Sequence, residues 1–100
     1  MKRLRQTYPE ISCDLNAGRG DGYSMECAGP VENLGKLGLT LASAVGQRFT
    51  FNGGLDQAPD GKASDIMFNG VVVHDPKWGY VAVADEDGIY WRSQVENDDA

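Results

Sequence analysis

One hundred residues, 41% of them apolar, suit a single domain with one modest core and leave little chain for a deep, walled-off active site. Three of the nine basic residues are Lys2, Arg3 and Arg5, so the rest of the chain sets six basic residues against fifteen acidic ones, a balance of −9. That field repels phosphates and argues against direct DNA or RNA binding, while it suits a protein partner with a basic surface. No apolar run approaches the roughly 20 residues of a spanning helix, and Gln6-Thr7-Tyr8-Pro9-Glu10 stands where a signal peptide needs an apolar stretch; a cytoplasmic domain with no membrane partner is expected.

Residues 1–9 read as a flexible N-terminus, 10–93 as one β-rich domain and 94–100 as a disordered acidic tail. Ile11-Ser12-Cys13-Asp14-Leu15-Asn16 alternates apolar and polar, the mark of a half-buried strand. A glycine-punctuated loop over 17–22 and a second alternating run over 23–27 predict a hairpin. Symmetry about Gly20 sets Cys13 against Cys27 and Leu15 against Met25 on one face, and Asp14 against Glu26 on the other. Pro30 with Val31, Leu34 and Leu37 predicts one short helix stopped by Gly38. Gln47-Arg48-Phe49-Thr50-Phe51 alternates again, with Phe49 and Phe51 inward.

The stretch 52–63, with Gly53, Gly54, Pro59 and Gly61, reads as a long polar loop. Residues 65–73 are apolar on both faces, the pattern of a central strand, and Gly70 predicts a bulge or bend within it. Asp75-Pro76-Lys77-Trp78-Gly79 is a tight turn into Tyr80-Val81-Ala82-Val83-Ala84, and Asp85-Glu86-Asp87-Gly88 carries an Asp-Gly turn signal before Ile89-Tyr90-Trp91. These elements predict a mainly β fold: an SH3-like barrel, or a strongly bent antiparallel sheet with one short helix. The alternative is an α+β sheet with the helix across one face.

No catalytic, cofactor-binding or metal-binding residue is expected. Cys13 and Cys27 are too few for a zinc site and read as small buried hydrophobes, although opposed strand positions can approach disulfide distance. Asp14 and Glu26 read as a solvated polar face and not as a paired acid and base. His74 beside Asp75 lacks a serine in a nucleophile elbow. Counted from Asp56, an EF-hand loop would place Ala58 and Met67 where oxygen ligands are needed. Arg19-Gly20-Asp21 is a chance tripeptide, and the glycines around it lack the Lys-Ser/Thr of a phosphate loop. Aromatic residues beside acidic turns mark protein-interaction surfaces, which makes Trp78, Tyr80, Asp85, Glu86, Asp87, Tyr90 and Trp91 the candidate partner-binding set.

Asp14-Leu15-Asn16-Ala17, Leu37-Gly38-Leu39, the 65–72 strand and Trp78-Gly79-Tyr80-Val81-Ala82 together resemble small uncharacterised bacterial β-rich proteins. Those proteins close on an Ile-Arg-His segment where this chain has Ile89-Tyr90-Trp91-Arg92. The resemblance implies a β fold and a bacterial or phage origin, and no activity. The expected function is that of a non-enzymatic acidic interaction module, of the kind found among inhibitors and immunity or anti-defence proteins. The alternative is a small-ligand-binding or regulatory domain with an aromatic pocket around Tyr80, Tyr90 and Trp91. The oligomeric state is left open by the sequence.

Overall fold

A computed structural model describes residues 8–92, excepting the Asp87 side chain. Six strands form one sheet: β1 (Glu10–Ser12), β2 (Gly18–Arg19), β3 (Gly22–Ser24), β4 (Arg48–Gln57), β5 (Ala63–Asp75) and β6 (Gly79–Trp91). Helices α1 (Ala28–Lys36) and α2 (Leu41–Ala44) lie between β3 and β4. The strand order is β1-β4-β5-β6-β3-β2, with β1 parallel to β4 and every other pair antiparallel. The mainly β reading holds in its bent-sheet form. The barrel does not close, because β1 and β2 stay at opposite ends of the order.

Chain length explains the bend. Ser12 and Gly18 end and begin neighbouring elements six residues apart, a reach of at most about 20–22 Å. Five strand-to-strand steps across a flat sheet would cover about 24 Å. The linking segment is also shortened by a turn in which the Ala17 N–H donates to the Asp14 carbonyl at 3.0 Å. The sheet therefore bends, which brings the end of β1 within that reach of β2.

β5 is the central strand, as its two apolar faces require, and pairs along its length with β4 and β6. Gly70 lies within it, where a Cβ would run into the Val83 carbonyl oxygen. Next to it, Phe68 pairs with Ile89 but Gly70 pairs with Ala84, so Asn69 alone faces the four residues 85–88. The chain reversal expected at Asp85-Glu86-Asp87-Gly88 does not occur. β6 runs through that segment as a bulge, and Gly88 takes the positive φ (70°) that the bulge needs. The long loop over 52–63 also shrinks: β4 continues to Gln57 past a register break at Gly53 and Gly54, and only 58–62 connect it to β5.

The hairpin expected between 11–16 and 23–27 is replaced by two different pairings. Ile11 pairs with Phe51 in the parallel β1–β4 contact, and Tyr23 pairs with Ala82 of β6. Only the stub Gly18↔Tyr23 and Arg19↔Gly22 remains of it. Alternation marks Ile11 and Cys13 for burial, and β4 offers a larger apolar surface for them than 23–27 does. Tyr8 and Pro9, read with the flexible terminus, are tied to Thr50: its Oγ1 accepts from the Tyr8 N–H at 2.9 Å and its N–H donates to the Pro9 carbonyl at 3.0 Å. Residues 1–7 and 93–100, the tail included, lie outside the described residues.

α1 begins at Ala28, two residues before Pro30, and buries Pro30 and Leu34 while Val31 and Leu37 face outward. Gly38 (φ 76°) ends it, with Gly38 and Leu39 N–H groups returning to the Gly35 and Leu34 carbonyls. α2, absent from the expected elements, is one turn held by a reciprocal Thr40–Ser43 cap. Under the helices the core gathers Ile11, Met25, Leu34, Phe49, Phe51, Phe68 and Val72. Phe68 lies at its centre, 5.0 Å from the Phe51 ring and 5.6 Å from the Tyr23 ring.

Candidate functional site

The seven candidate partner-binding residues do not form one surface. Tyr80 and Tyr90 pair with His74 and Met67, seven residues apart on β5, roughly 23 Å along an extended strand. At the first end, Trp78 tops the β5–β6 turn, 39% exposed, with Lys77 and Arg19 cations 4.8 and 5.9 Å from its ring. It lies so close over Gly20 that a Cβ there would meet its ring at 3.0 Å, so it pins the β2–β3 turn to this end of the sheet. Asp75 shapes the turn beneath it by accepting from the Trp78 and Lys77 N–H groups at 2.9 and 2.7 Å, which holds its carboxyl below the usual range. Tyr80 is half-buried against the core, its ring 4.9 Å from that of His74.

At the other end, Tyr90 is buried on the outer face and its hydroxyl donates to Asn69 Oδ1 at 3.1 Å. Trp91 is half-buried on the opposite, core-side face, where it pairs with Ile66. Tyr80, Tyr90 and Trp91 therefore line no common pocket. Asp85 bonds Arg48 across β5, and these bonds from Asp85 and Tyr8 hold the guanidinium above its ordinary value. Glu86 is exposed, and the Asp87 side chain lies outside the described part of the chain.

What the second end presents is a continuation of the core face that reaches solvent at Ile89. Phe68 pairs with Ile89 and Ile66 with Trp91, so these four side chains share the face on which the helices lie. α1 makes its main contact with β1, two strands away from β5 and three from β6 in the sheet order. Phe68 is fully buried, yet its neighbour Ile89 is 51% exposed. Beyond Val81 and Ala82, no described strand pairs with the free edge of β6. The bulge at 85–88 interrupts that edge and carries acids on it, a known guard against indiscriminate strand addition. On the outer face Leu55 is 74% exposed. Ile66, Ile89 and Leu55 were not among the candidates. Ile89, two residues before Trp91 and hence on its face, was the available signal.

The residues considered for catalysis do local structural work. Asp14 accepts from the Asn16 N–H at 2.9 Å, and Glu26 accepts from the Tyr80 N–H at 3.1 Å. Both carboxylates are exposed, and neither faces the other across a hairpin. Among the described residues no group of three or more His, Cys, Asp or Glu side chains could hold a metal ion, and no helix is long and apolar enough to cross a membrane. No family model, curated protein or solved structure matches the chain.

Proposed function

We propose that this chain is a non-enzymatic protein-interaction module, working in the cytoplasm, that receives a partner on the Ile89 end of its core-side sheet face. The supporting observation is Ile89, half exposed although its strand neighbour Phe68 is fully buried. An apolar face that runs from the core out to solvent has the form of an interface centre, and the half-buried Trp91 is of the residue type that supplies most binding energy. The exposed Glu86 stands three residues before Ile89 on the bulge of the same strand, so the fitting partner carries apolar side chains flanked by Lys or Arg. Inhibitors and immunity-type proteins that cover a basic target belong to this class.

A photo-crosslinking amino acid at position 89, with a control at position 36 on exposed α1, tests the proposal in the host cell. The expected result is a discrete adduct from position 89 and none from 36, weakened several-fold when Glu86→Gln is added. Adducts of equal yield from both positions, or none from 89, would refute it.

A further inference from the structure

The two cysteines line one cleft between the end of β1 and the start of α1. Cys13 directly follows β1, its N–H donating to the Asn52 carbonyl at 2.8 Å. Cys27 directly precedes α1 as its N-cap, in an extended conformation (φ −128°, ψ 160°), and its side chain makes no capping bond. Its Sγ lies 3.9 Å from the Ser24 carbonyl. The chain segments bearing the two thiols are clamped together: the Ser12 N–H donates to Asn33 Oδ1 at 2.8 Å, and a Cβ on Gly29 would stand 2.7 Å from Ser12 Oγ. Cys13 and Cys27 line one cleft of about 300 Å³ with Ser12, Asp14, Gly29 and Pro30, and both are free thiols.

We propose that Cys13 and Cys27 form a reversible disulfide that staples the end of β1 to the start of α1 across this cleft. The oxidant is a low-molecular-weight disulfide. Cys27, half exposed, loses its proton to solvent and its thiolate attacks one sulfur of that disulfide, expelling a small thiolate and leaving a mixed disulfide on Cys27. Cys13 then gives up its proton, and its thiolate attacks Cys27 Sγ, expelling the second small thiolate. Two protein thiols are oxidised and one external disulfide is reduced to two thiols, which take up the two protons. Burial first, then the neighbouring Asp14 and Cys27, push the Cys13 thiol up to about 12. Closure is therefore the slow step, and it quickens about tenfold per pH unit as the Cys13 thiolate fraction grows.

The test incubates the reduced full chain with oxidised glutathione at pH 7, 8 and 9, quenches with acid and reads intact mass. A glutathione adduct on Cys27 is expected to appear first, then to convert to a species about 2 Da lighter than the reduced chain, roughly a hundredfold faster at pH 9 than at pH 7. Cys13→Ser or Cys13→Ala halts at the adduct, and Cys27→Ser stays unmodified over the same interval. An adduct that never converts at any pH, a Cys27→Ser chain modified as fast as Cys13→Ser, or oxidation that links separate chains would overturn the proposal.

Discussion

Gly35 and Gly70 both interrupt regular elements, and their surroundings give them opposite meanings. Gly35 lies on the outer side of α1 with nothing within 4 Å of where a Cβ would stand. It lends the helix only backbone freedom that folding must remove. Gly35→Ala is expected to raise unfolding free energy by about 0.5–1 kcal/mol. At Gly70 a Cβ would overlap the Val83 carbonyl oxygen in the β5–β6 ladder, and backbone cannot step aside as a flexible side chain can. Gly70→Ala is expected to cost about 2–4 kcal/mol. Urea unfolding of the two variants beside the parent chain checks both signs at once. The sequence alone pointed to a bulge at Gly70, and a register break is found there. The surplus residues, however, belong to β6, because a glycine marks where backbone comes close without saying which strand supplies it.

Elements were more legible than their partners. The strands containing Phe49, Val72 and Ala82 fall where alternation and apolar runs place them, and β5 is central because only a strand covered on both sides can be apolar on both. Asp87-Gly88 was read as a turn because the dipeptide supplies a residue at positive φ. A bulge makes the same demand, and the thirteen residues of β5 needed a partner of equal length. β1 was assigned to the wrong neighbour since alternation fixes which face is buried and leaves the partner open.

The end of β6 is tied to β1 and β5 by one guanidinium: Arg92 donates to both Glu10 oxygens at 2.8 Å and to Asp65 Oδ2 at 2.7 Å. Partial burial works to raise the Glu10 carboxyl, but the bonds from Arg92 and Asn52 outweigh it and hold the group below its usual value of 4.5. A carboxyl lowered by folding stabilises the fold above pH 4.5, and that contribution fades as pH falls through the lowered value. The pair is partly exposed, so the contribution is at most about 1 kcal/mol. Glu10→Gln is accordingly expected to be slightly less stable than the parent at pH 7 and to converge with it as the pH falls below 4.5 and through the lowered value, as read from thermal unfolding across that range.

The whole molecule measures 41 × 24 × 24 Å, and its three longest strands, β4, β5 and β6, run to 10, 13 and 13 residues. Of the residues singled out from sequence, Trp91, Asp85 and Glu86 lie toward the Ile89 end, whereas Trp78, in the β5–β6 turn, and Tyr80, at the start of β6, lie at the other. Composition marks residues fit for an interface, whereas long-range pairing decides which of them share an end of the sheet. The Ile89 end can be tested as a surface by comparing substitutions of two apolar residues. Leu34, fully buried between α1 and the sheet, should cost about 2–5 kcal/mol when changed to alanine. Ile89 already meets solvent over half its area, so Ile89→Lys keeps its aliphatic stem on the sheet with its ammonium in water, and a loss below about 1 kcal/mol is expected. The same substitution places a positive charge where the proposed partner brings its own. In a chain crosslinked from a flanking position such as 86, Ile89→Lys should therefore abolish adduct formation while thermal unfolding stays nearly unchanged. A loss of stability comparable to that of Leu34→Ala would instead make Ile89 part of the core and remove the surface on which the functional reading stands.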